Sequence, residues 1–338
     1  MSVGVAHPFV TIAGMEPAAS PPDLPVFDDV LAAAARIAPH AHATPVLRSQ
    51  SLDAIAGCEL HFKCENFQRV GAFKFRGACN AVLALDPATA ARGVITQSSG
   101  NHGAAIALAC RLRGIPATVI VPEGAPAVKL AAIAGFGAEV LRCAPTMAAR
   151  DAATAAAQAE RGAVLIHPFD NRHVIAGQAT AALELHRAVP GLDIVVAPVG
   201  GGGLLSGTAL ATREMAPQAE VWGAEPAGAA DAHASLARGE VITTMRADTI
   251  CDGLRGHLAP RTFTLIRDHA RGILLADDAE VVHAMRLVWE RLKIVVEPSC
   301  AVALAVVLRN PGQFRGRRVG IIVSGGNVDL GSLPWAAA

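Results

Sequence analysis

Four short stretches of this chain hold residue types that could do chemistry. In GAFKFRGA (71–78), Lys74 stands between Phe73 and Phe75. An ammonium among apolar rings is poorly solvated, which lowers its pKa and frees the neutral amine to act as nucleophile or base. The plain alternative is a lysine whose stem packs while its head reaches water. In SSGNHG (98–103), Gly100 and Gly103 let backbone approach a ligand closely. Ser98, Ser99, Asn101 and His102 add side-chain partners. At a helix start this is an anion site, or simply a serine-rich cap with an Asn turn. The run GGGG (200–203) is entropically costly as a bare turn, and a ring of N–H groups around a phosphate explains it better. No Lys-Ser/Thr follows, so it is not the triphosphate-binding loop. In SGGN (324–327), Ser324 offers a hydroxyl, or caps an ordinary turn.

The elements around these stretches must place them. Short apolar runs alternate with Ala-rich helical segments. Strands are expected at Val94–Thr96, Ala117–Val121, Glu139–Arg142, Val164–His167, Ile194–Val199, Val221–Glu225 and Val319–Ser324. Helices are expected from SSGNHG to Arg113, near 126–135, 147–161 and 174–188, from the glycine run to Met215, and at 260–269, 279–292 and 299–309. Such alternation implies parallel sheet covered on both faces, with ligands beyond the carboxyl ends of strands. SSGNHG, GGGG and SGGN all sit at such ends. The segment 93–170 has its own strand–helix units. It reads as a small domain inserted into a large one built from 1–92 and 171–338, with 1–25 a loose arm.

Composition narrows the class. The 338 residues are 52% hydrophobic and 17% charged, which fits an ordered globular chain. Lys plus Arg (29) equals Asp plus Glu (29), so no basic excess points to nucleic acid or an anionic membrane. No apolar run is long enough to span a bilayer, and the first 25 residues lack the basic start of a signal peptide. Seven scattered cysteines without CxxC suit a reduced, cytoplasmic protein.

One phosphate cup, one lysine in an apolar setting and one strand-end serine suit a single cofactor, pyridoxal phosphate. That cofactor needs a lysine for its Schiff base, N–H groups for its phosphate and a partner for its pyridine nitrogen. A dinucleotide reading competes. Glu225 lies about twenty residues after the glycine run, where a ribose-binding acid would stand. However, G-x-G-x-x-G is not matched, and only the looser Gly201, Gly203, Gly207 pattern exists.

With these motifs in hand, the chain resembles the fold-type II pyridoxal phosphate enzymes. More narrowly it is similar to the group of serine/threonine dehydratases, serine racemases and 3-hydroxyaspartate dehydratases. The likeness runs from about Thr44 to Leu330 through GAFKFRGA, SSGNHG, HPF…VIAGQ, PVGGGGLLSG and VEPS…SGGNVD, in family order. It implies an α/β fold like that of the tryptophan synthase β chain: two open, twisted, mostly parallel sheets flanked by helices, with the cofactor in the cleft between lobes. It implies that Lys74 bears the cofactor and removes the substrate Cα proton, and that Phe73 lies on the ring. Gly200, Gly201, Gly202 and Gly203, with Leu204, hold the phosphate. Ser324 meets the pyridine nitrogen, and Asn101 the phenolic oxygen. Ser98, Ser99, Asn101 and His102 bind the substrate carboxylate. Ser99 also occupies the place of the racemases' opposite-face acid/base.

The same resemblance implies a Mg²⁺ or Ca²⁺ site in EPAGAAD, from Glu225, the Ala229 carbonyl and Asp231; two unpaired surface acids are the alternative. Arg150 matches a substrate-proximal arginine of the racemase. Arg255 and His257, in CDGLRGHL, replace small hydroxyl residues of that enzyme. Guanidinium groups there would suit a substrate with a second carboxylate. The expectation is an ammonia-lyase acting on serine, threonine or 3-hydroxyaspartate, a small amino-acid substrate, in a cytoplasmic homodimer. An amino-acid racemase with side dehydratase activity is the alternative within the family. An NAD-dependent oxidoreductase and a non-catalytic metabolite-binding protein are the alternatives outside it.

Overall fold

The computed structural model describes residues 23–125 and 127–335; the expected N-terminal arm falls almost wholly outside them. Ten strands form two sheets: β1 (Val46–Leu47), β2 (Glu59–Cys64), β3 (Val94–Gln97), β4 (Ala117–Pro122), β5 (Glu139–Cys143), β6 (Val164–Leu165), β7 (Ile194–Pro198), β8 (Glu220–Pro226), β9 (Gly272–Ala276) and β10 (Arg318–Val323). The larger sheet runs β1-β2-β10-β7-β8-β9 and the smaller β5-β4-β3-β6. Among the described residues, only the β1–β2 strand pair is antiparallel. Helices cover the parallel strands, which explains why β4, β7 and β10 read as unbroken apolar runs: their residues are almost all buried.

Three strands of the larger sheet, β1, β2 and β9, go beyond the alternation legible in the sequence. In β2, ELHFKC, His61 and Lys63 interrupt the apolar pattern, yet both are buried. His61 pairs with Glu59, Nε2 to Oε1 at 2.7 Å, and Lys63 belongs to a buried ion cluster. Arg76 is fully buried, with its Nε 2.6 Å from Glu65 Oε2 and Nη1 2.7 Å from Glu184 Oε1; Lys63 Nζ lies 2.6 Å from Glu184 Oε2. Two cations matched by two carboxylates avoid an unpaired buried charge, and removing one partner of such a set costs roughly 3–5 kcal/mol. The cluster ties β2 to the helices Lys74–Leu83 and Arg172–Ala188. A second constraint joins those helices. A Cβ on Gly177 would lie 2.5 Å from the Arg76 carbonyl oxygen, so only glycine lets them come this close. Together these contacts hold the helix that opens with Lys74.

Candidate active site

The three glycine-rich turns converge. SSGNHG follows β3 of the smaller sheet. GGGG and SGGN follow the neighbouring strands β7 and β10 of the larger one. Between them lies a cavity of about 280 Å³.

Lys74 opens its helix at the cavity wall. The chain before it is pinned to the SGGN turn: Phe73 N–H donates to the Ser324 carbonyl at 3.0 Å, and Gly326 N–H donates to Gly71 O at 3.0 Å. The lysine and the serine are therefore held side by side by backbone pairing. Lys74 Nζ donates to Pro168 O at 2.9 Å and lies 5.1 Å from the centre of the Phe73 ring. Burial without a carboxylate partner lowers its pKa from 10.5 to about 8. The chain has only four lysines. Lys63 is paired with Glu184 and Lys129 with Asp252, whereas Lys293 ends a helix in the left-handed region (φ 59°). Lys74 alone combines a place on the cavity wall with no ion pair among the described residues.

Gly200, Gly201, Gly202, Gly203 and Leu204 also line the cavity. Gly202 has φ 86°, a backbone conformation that a residue with a side chain adopts only under strain. Gly203 begins the helix Gly203–Met215, whose first N–H groups have no intrahelical acceptor. Free amides and the positive end of the helix dipole suit a phosphate. Ser324, Phe73, Ser98, Ser99, Asn101, His102 and Arg150 complete the expected wall. His102 is buried and neutral, its pKa held well below 6.5 by desolvation and by the Lys74 charge, and its Nδ1 has no hydrogen-bond partner among the described residues. Arg150 makes no ion pair among the described residues, and its buried Nε is also unpartnered.

Other wall residues were not singled out from sequence. Glu297 accepts from Asn101 Nδ2 (3.2 Å) and from Asn327 N–H (3.0 Å), while Asn327 Nδ2 donates to Asn101 Oδ1 (2.9 Å). Burial, and then the Asp252 charge, raises Glu297 to about 7. Both residues stand inside recognised motifs, VEPS and SGGN, but a lone acid or amide in a loop ordinarily reads as solvated. Phe169, Gln97, Lys129 and Asp252 also face the cavity; Lys129 Nζ bridges to Asp252 Oδ2 at 2.6 Å.

Arg255 stands apart. It is exposed and donates to the Thr249 carbonyl at 2.6 Å, outside the cavity wall. His257 points away as well, its Nδ1 3.3 Å from Asp231 Oδ2.

Glu225, Ala229 and Asp231 lie together at the end of β8, all buried. Glu225 caps the helix Asp231–Arg238, accepting from Ala232 N–H (2.8 Å) and His233 N–H (2.9 Å). Burial raises it to about 8, with the Asp231 charge adding to the shift. Asp231 is also raised by burial, and its Oδ2 faces His257 Nδ1 at 3.3 Å. Two buried carboxylates form a hard oxygen donor set that a divalent cation fits.

The family model for pyridoxal-phosphate dependent enzymes matches residues 37–325. The chain is 48% identical to the beta-hydroxyaspartate dehydratase of Paracoccus denitrificans (strain Pd 1222), covering 92% of this chain and 99% of that protein. It is 45% identical to the L-threo-3-hydroxyaspartate ammonia-lyase of Saccharomyces cerevisiae (91% and 94%). Among solved structures, maize serine racemase superposes with a TM-score of 0.88 at 44% identity, covering 91% of this chain and 95% of that one. The fold class expected from the motifs is borne out.

Proposed function

We propose that this chain, which belongs to the family of pyridoxal-phosphate dependent enzymes, is an ammonia-lyase that converts a β-hydroxy-L-amino acid to a 2-oxo acid and ammonia. Within that class we favour 3-hydroxyaspartate. The observation that carries this choice is Arg150, a cation on the cavity wall with no carboxylate of its own, where a second substrate carboxylate would find a partner.

The wall fits the cofactor. The glycine cup offers N–H groups and no side chain in the phosphate's way, and Lys74 faces the same space. Gly200–Gly203 would hold the phosphate, Phe73 the ring face, Ser324 the pyridine nitrogen and Asn101 the phenolic oxygen. When bound, the cofactor supplies an electron-poor ring that spreads the charge left on deprotonated Cα. Ser324 carries no charge, so it does not hold the pyridine nitrogen protonated. This limits delocalisation and favours loss of a β-substituent over transamination. Ser98, Ser99, Asn101 and His102 bind and orient the substrate carboxylate at the start of the helix Asn101–Arg113. Lys74, neutral near pH 8, removes the Cα proton. The β-hydroxyl departs as water, balanced by the proton taken from Cα, and the enamine left (2-aminoacrylate in the case of serine) is hydrolysed by a second water to the 2-oxo acid and ammonia.

Side-by-side assay of 2-oxo acid release from L-serine, L-threonine and both L-3-hydroxyaspartate diastereomers tests the reading. One of the hydroxyaspartates is expected to give the highest kcat/KM. A racemase with side dehydratase activity is the second reading, favoured by Ser99 on the cavity wall and by the likeness to serine racemase. D-isomer accumulating faster than 2-oxo acid would establish it instead.

The proposal extends to a divalent cation at Glu225, Asp231 and the Ala229 carbonyl. Treatment with EDTA is expected to lower the melting temperature, and Mg²⁺ or Ca²⁺ to restore it. A melting curve indifferent to both removes the cation from the account. It extends also to a cytoplasmic homodimer. All seven cysteines are free and buried, which suits a reducing compartment. No helix among the described residues is long and apolar enough to cross a membrane.

A further inference from the structure

Gln178, in the helix Arg172–Ala188, is completely buried, yet neither its Oε1 nor its Nε2 has a hydrogen-bond partner among the described residues. Other buried amides differ. Gln68 donates to the His42 carbonyl and accepts from His42 N–H, and Asn80 donates to the His173 carbonyl and accepts from Arg36. Leaving a buried polar group unpaired costs about 1–3 kcal/mol, so an apolar side chain of this size would serve packing better.

The position of the amide suggests its use. Its Oε1 lies 2.6 Å from the point a Cβ on Gly203 would occupy, so Gln178 fills the space behind the last residue of the glycine cup. Its Cγ lies 3.0 Å from the corresponding point on Gly77, one turn after Lys74. One side chain therefore braces both the cup and the helix that carries the lysine. Gln178 itself does not reach the cavity wall, whereas Gly203 does.

We propose that Gln178 is a positioning residue for the cofactor's phosphate. Its amide backs Gly203 from behind the cup wall, and completes its hydrogen bonds only through a water that the seated phosphate holds. The inference rests on the phosphate cup proposed above.

The test is Gln178→Met, close in volume and without polar atoms. The apoprotein is expected to melt at the wild-type temperature or higher, since an unpaired amide is gone. The Kd for pyridoxal phosphate, titrated without substrate, is expected to rise about 10-fold. The ³¹P resonance of the bound phosphate is expected to move. If that variant does not fold, Gln178→Glu decides. A carboxyl group behind the phosphate is expected to weaken binding at least as much, more at high pH than at low. A Kd within twofold of wild type in the variant that folds overturns the proposal. So does a loss of affinity matched by lost apoprotein stability with the ³¹P position unchanged. Gly201→Ala separates the two claims. Loss of affinity there, with a wild-type-like Gln178→Met, sinks only the role of Gln178. Wild-type affinity in both sinks the cup.

Discussion

Replacing Lys74 with alanine is expected to lower kcat by about four orders of magnitude, or about 5.5 kcal/mol of barrier, the range lost when a positioned base is removed. The cavity offers no substitute. Lys129 is tied to Asp252, and His102 is buried with its Nε2 turned to the Ile166 carbonyl. Lys74→Ala should also lose the visible band of the cofactor-loaded protein. The wild-type amine gives a matching pH signature. Its pKa of about 8 means that the apoprotein should capture cofactor at a rate that rises with pH around that midpoint, because the neutral amine reacts. A solvated lysine would place the midpoint above 10. The linked stability effect has the opposite sign to that of a salt-bridged lysine. Between pH 8 and 10.5 the unfolded chain holds the proton and the folded one does not, so Lys74 makes the apoprotein more stable as pH rises across that window. Turnover in Lys74→Ala within about tenfold of wild type would end the mechanism.

Arg150→Met is expected to cut kcat/KM for 3-hydroxyaspartate about 100-fold, near 2.7 kcal/mol, while changing that for L-serine less than about threefold. The contrast follows from charge. A dicarboxylate loses its guanidinium partner and leaves a carboxylate desolvated, whereas serine has no group to pair there. Arg150→Lys should recover only part of the loss, because a point charge does not reproduce the planar fork. Equal losses for both substrates would assign Arg150 to the fold of the helix Met147–Arg161 and leave the preference for hydroxyaspartate unsupported.

The parts of the site legible in sequence are those whose residue types are costly in any other setting. Four consecutive glycines, a lysine between rings and a polar turn at a strand end each conflict with ordinary packing or solvation. β7 and β10 were equally legible, because strands buried on both faces read as continuous apolar runs. β2 was not: Lys63 and His61 look like solvent-facing residues until Glu184, far along the chain, is brought beside Lys63. Glu297, Asn327 and Gln178 were hidden for a related reason. Their partners, or the lack of them, depend on where other segments fold, and one acid or amide in a string carries no mark of burial. Arg255 illustrates the converse. It shares a segment with cavity residues Gly253, Leu254 and Gly256, but side-chain direction within a turn is set by backbone geometry, and this one points to Thr249.

The account stands most directly on where the cofactor is attached. With only four lysines in the chain, borohydride reduction of the pyridoxal phosphate-loaded protein followed by digestion and mass spectrometry gives a clean answer. The cofactor should be found on one peptide, the one containing Lys74. Label on Lys63, Lys129 or Lys293 instead, or on no lysine, would contradict it.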